Sequence, residues 1–256
     1  MGAATSAVAG VKPAIIQTGS GPIRLHCAMS VPRLGWQDHM FCWPRGLIPY
    51  GISPVRLEGA FWGQCLERVL TDMVELDDDP KAPPLWILTL DYDTIFEQDA
   101  VPRLLQYATA SDYDVVAALQ MKRRTDEPLF TMAATNGERM AEAPRDWFIL
   151  HNIVKANTAH FGFTMIRAAA LKRMPHPWFL GKPDKEGKWG PERIDDDIHF
   201  WQVAEKAGVK SGVCTRVCIG HAEVQFKWPD QNMRGLVQHP GDFWDRGGKP
   251  PEKVWQ

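Results

Sequence analysis

The sequence lacks most of the features that would assign a 256-residue chain at a glance. No apolar run approaches the ~20 residues that cross a bilayer, and no basic segment followed by an apolar core and a cleavage site opens the chain. Neither membrane insertion nor secretion is expected, and a cytoplasmic location follows. The five cysteines, Cys27, Cys42, Cys65, Cys214 and Cys218, include no C-x-x-C pair and sit in apolar surroundings, so reduced buried thiols are expected and zinc is disfavoured. Charge is nearly balanced at a formal −2, which gives no global attraction to nucleic acid. The basic run Lys122-Arg123-Arg124 reads as a solvated face. Also missing are the glycine-rich phosphate loops G-x-G-x-x-G and G-x-x-x-x-G-K-[ST], which argues against a dinucleotide-dependent dehydrogenase or a P-loop nucleotidase.

What is present centres on Leu85 to Phe96. The run Leu-Trp-Ile-Leu-Thr-Leu is uncharged until Asp91, as expected of a strand buried on both faces of a largely parallel sheet. Asp91 and Asp93 stand at its carboxyl end, the edge where open α/β folds place ligands. Two carboxylates held close need a positive partner, and a divalent cation is the common one. Asp-x-Asp also occurs at Asp77/Asp79, Asp112/Asp114 and Asp195/Asp197. The first reads as a solvated loop and the second as a helix-to-strand turn. The last opens a helix that can face the central strand.

In chain order, residues 1–21 are expected to be a mobile tail, with structure beginning near Ile23. A first strand, Ile23 to Val31, ends at Ser30-Val31-Pro32-Arg33, where nucleotide-binding α/β folds commonly receive a base or ribose. A loop holding Trp36, Trp43 and Pro44 precedes a second strand near Ile48 to Ser53. Leu57 to Leu76 is the clearest helix, with Trp62, Leu66, Val69, Leu70 and Met73 on one face. A helix from Gln98-Asp99 and a strand Asp114 to Leu119 complete a βαβ unit. Residues 120–160 look like a meander with an Asn136-Gly137 turn. His160 to Arg167 resumes as a strand, Ala168 to Met174 as a short helix, and Val209 to Ile219 as a strand ending at Gly220-His221. Asp195-Asp196-Asp197 suits a helix start, although three adjacent carboxylates exceed what capping needs. The stretch from Glu223, with Trp228, Trp244 and Trp255, is expected to be irregular, either packed on the body or covering the site.

In sequence, the strand ending Asp91-Tyr92-Asp93, the Gly162 to Arg167 strand followed by Pro177-Trp178-Phe179, the Asp196-Asp197-Ile198-His199-Phe200 helix start and Gly220-His221 resemble the GT-A fold of family-2-like nucleotide-sugar glycosyltransferases. The resemblance spans about residues 23–221. It implies an α/β domain over 22–222, with a mixed, mainly parallel central sheet flanked by helices and a C-terminal extension over 223–256. It implies a hexosyltransferase-like enzyme using manganese or magnesium and a nucleotide-sugar donor, UDP-sugar favoured. Asp93 and His221, with Asp91, would hold the metal; Asp91, Tyr92, Ser30, Pro32 and Arg33 would contact the nucleotide. Asp197, or its neighbour Asp196, would be the general base of an inverting displacement. Trp178, Phe179 and Gly162 would line the acceptor site. The acceptor stays open between a glycan and a nucleic acid, including a modified base in DNA, with Arg167 and the basic run as phosphate contacts. A sugar-phosphate nucleotidyltransferase and a non-catalytic nucleotide- or nucleic-acid-binding module are the competing readings.

Overall fold

The structure, a computed structural model, describes residues 10–31, 37–59, 61–75, 77, 79–122, 128–131 and 145–254. The strands are β1 (Ala14–Thr18), β2 (Gly21–Val31), β3 (Pro54–Glu58), β4 (Leu85–Asp91), β5 (Thr94–Ile95), β6 (Val115–Leu119), β7 (Ile153–Lys155), β8 (Phe163–Arg167), β9 (Ser211–Cys218), β10 (Gly220–His221), β11 (Phe226–Pro229) and β12 (Gly235–Gln238). The helices are α1 (Gln37–Leu47), α2 (Trp62–Glu75), α3 (Ala100–Thr109), α4 (Arg145–Leu150), α5 (Ala168–Leu171), α6 (Asp196–Lys206) and α7 (Pro240–Asp245). None of the helices described is long and apolar enough to cross a membrane.

An eight-stranded sheet runs β1-β2-β4-β8-β6-β9-β7, with β3 added beside β2. β2, β3, β4, β6 and β9 point one way, whereas β1, β7 and β8 run against them. The sheet is therefore mixed, with its parallel strands in the majority. The βαβ path from β4 through α3 to β6 joins strands of like direction that do not touch, because β8 pairs antiparallel with both.

The uninterrupted apolar run in β4 is explained by cover on both faces. Leu85 and Ile87 join a core with Leu66, Val69 and Leu70 of α2 and Phe200 of α6. Trp86, Leu88 and Leu90 point the other way, into a core with Val101, Leu104 and Leu105 of α3. Successive strand residues face opposite sides, so both sets must be apolar when helices lie on both sides.

Four expectations are corrected, the loop at Trp43 and Pro44, which is helix α1, among them. Order does not begin at Ile23: β1 pairs with β2 through a hairpin closed by Gly21 at φ 108°, a backbone conformation that favours glycine. Ile48 to Ser53 is not a strand; α1 ends at Leu47, a one-turn helix covers Ile48–Tyr50, and the strand comes later as β3. α1 carries Pro44 in its interior, which local rules discourage, but fully buried Leu47 and the partly buried Cys42 and Trp43 pack on the α3-side core. The C-terminal stretch is not irregular: β11 and β12 form a hairpin against α7, with Trp228 stacked on Phe243 at 6.1 Å. Within it, Trp228 Nε1 donates to Gln238 Oε1 at 2.9 Å, so this segment has a small core of its own. The Asn136-Gly137 turn and Trp36 and Trp255 lie outside the described residues.

Candidate active site at the carboxyl edge of the sheet

β4 delivers Asp91 to the carboxyl edge, level with Ser30 of β2. The backbone there is fixed from β8, since the Gly162 carbonyl accepts from Asp91 N at 3.2 Å and from Thr94 Oγ1 at 2.9 Å. Gly162 leaves no room for more: a Cβ on it would lie 2.9 Å from Thr94 Oγ1. His160 holds this strand end in turn. Its Nδ1 accepts from Gly162 N at 3.0 Å, which places the ring proton on Nε2, and Nε2 donates to the Ala118 carbonyl at 2.8 Å. Burial above all, aided by the nearby His221, lowers the His160 pKa to about 4, so the ring is a neutral strut between β6 and β8.

Beyond Asp91 the chain turns through Tyr92 and Asp93 into β5, which pairs antiparallel with β10. That pairing sets His221 beside Asp93, with Nε2 3.5 Å from Asp93 Oδ2. His221 Nδ1 lies 3.2 Å from the Met121 carbonyl, to which it can donate, while Nε2 faces the Asp93 carboxylate. An imidazole nitrogen and a carboxylate oxygen are both metal-ligand types, so this pair fits a divalent ion by its donor chemistry. Asp93 is 3% exposed. Among the described residues no three His, Cys, Asp or Glu side chains are grouped closely enough to hold an ion by themselves.

The second acidic element arrives from far along the chain. Asp195 occupies the N-cap position of α6, but its side chain does not cap; it pairs with Arg193 through bonds of 2.7 and 3.2 Å. Asp196 and Asp197 fill the first turn, where the helix dipole favours negative charge. The Asp196 carboxylate lies against two glycines, so that a Cβ at Gly63 would come within 2.3 Å of Oδ2 and one at Gly181 within 2.7 Å of Oδ1. Asp197 accepts from its neighbour's backbone, Ile198 N, at 2.8 Å. Burial raises the Asp197 pKa, the charges of Asp195 and Asp196 add to the rise, and the Ile198 bond opposes it. A carboxylate so destabilised is a better proton acceptor than a solvated one.

Asp91 and Asp195 to Asp197 line one cleft of about 700 Å3. Asp91 Oδ1 accepts from Trp62 Nε1 at 3.0 Å, which ties the acid to the start of α2. Trp62, Phe161 and Phe179 meet edge-to-face with centroids 5.1 to 5.6 Å apart and form the apolar floor. Phe61, Gln64, Leu129, Leu180 and Trp189 complete the walls, and His160 touches the cleft from below. No Lys or Arg is among the described lining residues.

Of the residues expected at the site, Asp91, Asp196, Asp197 and Phe179 share this cleft. Asp93 and His221 pair with each other next to Asp91 but do not line it, and half-buried Tyr92 lies in the turn between the two acids. Pro32 and Arg33 lie outside the described residues, as do Arg123 and Arg124. Trp178 is a correction. It is 1% exposed and points into the core, its indole N–H on the Met174 carbonyl at 3.2 Å, because adjacent residues of an extended segment face opposite ways. Glu67 fixes that segment by accepting from Trp178 N at 2.8 Å and Phe179 N at 2.9 Å. Gly162 supports the edge without lining the cleft. Arg167 is also removed from the site: it stacks on Trp86 at 4.8 Å at the opposite edge of the sheet. Among the described lining residues none follows Asp197. Sequence reasoning missed Phe61, Trp189 and His160; the first two lie in segments without periodicity, and the third stands in a stretch whose pattern is that of a strand.

No family model matches the chain, and no curated protein matches it. Among solved structures, A197 from STIV aligns with a TM-score of 0.54 at 14% identity, over 84% of this chain and 94% of that one, which shows a shared fold. A structure of GalNAc-T7 with UDP, GalNAc and Mn2+ aligns with a TM-score of 0.46 at 10% identity, over 77% of this chain and 42% of that one, too loose a likeness to bear on function.

Proposed function

We propose that this protein is a metal-dependent glycosyltransferase that moves a sugar from a nucleotide-diphosphate sugar to an acceptor hydroxyl with inversion. The observation that carries this reading is the meeting of Asp91 and Asp197, from segments more than a hundred residues apart, in one aromatic-floored cleft with Asp93 and His221 immediately behind Asp91. Asp93 and His221 would hold manganese or magnesium, with Asp91 at the nucleotide or a metal-bound water. When bound, the ion supplies positive charge for the diphosphate as it departs. Two protein ligands are enough where phosphate oxygens and water complete the shell.

On this reading Asp197, its proton affinity raised by burial, takes the proton from the acceptor hydroxyl. The freed oxygen bonds to the anomeric carbon, the bond from that carbon to the diphosphate breaks, and the nucleoside diphosphate leaves with the electron pair. Asp196, wedged between Gly63 and Gly181, keeps the start of α6 seated on the start of α2 and so fixes where Asp197 points. His160 and Gly162 do the same for Asp91. Release of nucleoside diphosphate from UDP-, GDP- and TDP-sugars, with and without manganese, is the test. Metal-dependent release from one donor class, lost in Asp93→Ala, is expected; release that survives Asp93→Ala at saturating metal rejects the site.

A further inference from the structure

The acceptor end of the cleft has a composition that selects among substrates. Two large aromatic side chains face it while exposed, Trp189 at 65% and Phe61 at 64%. Single exposed apolar residues are ordinary, but two on the walls of one cleft form a patch with a use. The Trp189 loop is held in advance of any ligand. Lys182 and Ile194 exchange two backbone hydrogen bonds of 2.8 and 2.9 Å at its base. Asp184 Oδ1 accepts from Glu186 N at 3.0 Å and Lys188 N at 2.8 Å across its tip. The indole edge lies over Gly181, with Cζ3 and Cη2 3.5 and 3.6 Å from where a Cβ would stand, and Gly181 is also the glycine against the Asp196 carboxylate. An open aromatic face is thus fixed beside the two acids.

The charge at this end narrows the occupant. Arg193 is committed to Asp195, which leaves the carboxylates of Asp196 and Asp197 without a cation among the lining residues described. Phosphodiesters brought against them would be repelled, and an aromatic platform for nucleic acid is ordinarily accompanied by basic side chains along the strand. Carboxylates beside an aromatic face suit a ligand that donates several hydroxyl hydrogens and offers an apolar ring face.

We propose that the acceptor is a neutral sugar, the end of a glycan, which stacks on Trp189 with Phe61 as a second apolar contact and turns its hydroxyls to Asp196 and Asp197. The inference rests on the transferase reading for calling this sugar the acceptor, while the sugar site is testable by itself. Ligand-observed NMR on the full chain, with neutral gluco-, galacto-, manno- and chito-oligosaccharides, is the measurement. At least one series binds; Trp189→Ala weakens it by about tenfold or more, Trp189→Phe retains most of it, and Trp244→Ala, equally exposed on α7 outside the cleft, leaves it unchanged. A single-stranded DNA oligomer and a lysine-rich peptide do not compete. The inference is overturned if no neutral series binds, if binding ignores Trp189→Ala, or if DNA or peptide binds in a Trp189-dependent manner. Nucleoside diphosphate release by the wild-type chain separates the two readings. Sugar binding that needs Trp189 without any donor turnover sinks the transferase and keeps the sugar site. Donor turnover without such binding sinks the sugar site alone.

Discussion

The two edges of the central sheet treat the same dipeptide spacing in opposite ways. At the amino edge Asp77 bonds to Arg24 and lies 3.2 Å from Lys172. Asp112 pairs with Lys210 at 2.5 Å, and Asp114 with Arg173 at 2.6 Å and Arg167 at 3.8 Å. At the carboxyl edge Asp195 pairs with Arg193, but the other contacts described are of another kind. Asp91 takes an indole N–H, Asp93 faces an imidazole, Asp196 sits between glycines and Asp197 has a backbone N–H. An acid matched to a guanidinium holds the chain together, whereas burial, with the charges of Asp195 and Asp196 beside it, raises the proton affinity of Asp197. Asp-x-Asp thus acquires its meaning from the edge on which it lands. The expectation of a solvated loop at Asp77 is corrected on the same ground, since its side chain is largely buried under Arg24 and Lys172.

The largest contrast is expected from exchanging charge at one edge and then the other. Asp197→Asn should lower transfer by about 10²- to 10⁴-fold, the usual worth of a positioned base, and leave the thermal midpoint at pH 7 unchanged or higher. The sign follows from the raised pKa: a folded-state value above the unfolded one makes the charged group unfavourable to folding once pH passes both. An equal rate in Asp197→Asn would erase the distinction between the edges. Asp114→Ala should do the reverse, costing about 2 kcal/mol of stability through lost charged hydrogen bonds, with donor turnover intact at low temperature; a turnover defect there would blur the comparison.

Smaller effects sharpen it. His160 has a folded pKa of about 4 against an ordinary 6.5, so the neutral form is required and stability falls as pH drops from 6.5 towards 4. The loss approaches about 3 kcal/mol at the acid end. It should be absent in His160→Gln, which is less stable at neutral pH; chemical denaturation at several pH values reads both. Gly63→Ala places a methyl within 2.3 Å of Asp196 Oδ2 at a helix position where alanine is otherwise preferred. Activity should fall by about tenfold if a shift of the carboxylate of the order of 1 Å results, with little change in the thermal midpoint. Smallest of all, Asp112→Ala removes an exposed pair and should leave both midpoint and turnover unchanged.

Much of this edge was legible in the sequence because strand burial is written in uninterrupted apolar runs. β4 announced itself that way, and its terminal acids followed. The pairing of Asp93 with His221, and of Asp91 with the start of α6, was legible only through the order of motifs, since no local pattern connects residues so far apart. Three things were not legible. Trp178 and Phe179 are indistinguishable by type, and a half-turn of extended chain puts one in the core and the other in the cleft. α1 carries a proline that local rules read as a break, and its packing on the α3-side core overrides them. Trp189 stands in a Gly- and Lys-rich loop whose order derives from Asp184 and the bridge between Lys182 and Ile194, contacts that no periodicity reveals.

Manganese binding, followed by electron paramagnetic resonance in the presence of UDP, separates the two edges in one titration. The wild-type chain and Asp114→Ala should take up the ion alike, while Asp93→Ala should bind it more weakly by on the order of a hundredfold. Unaltered binding in Asp93→Ala, or an equal loss in Asp114→Ala, would contradict the assignment of the carboxyl-edge acids to a metal-assisted transferase.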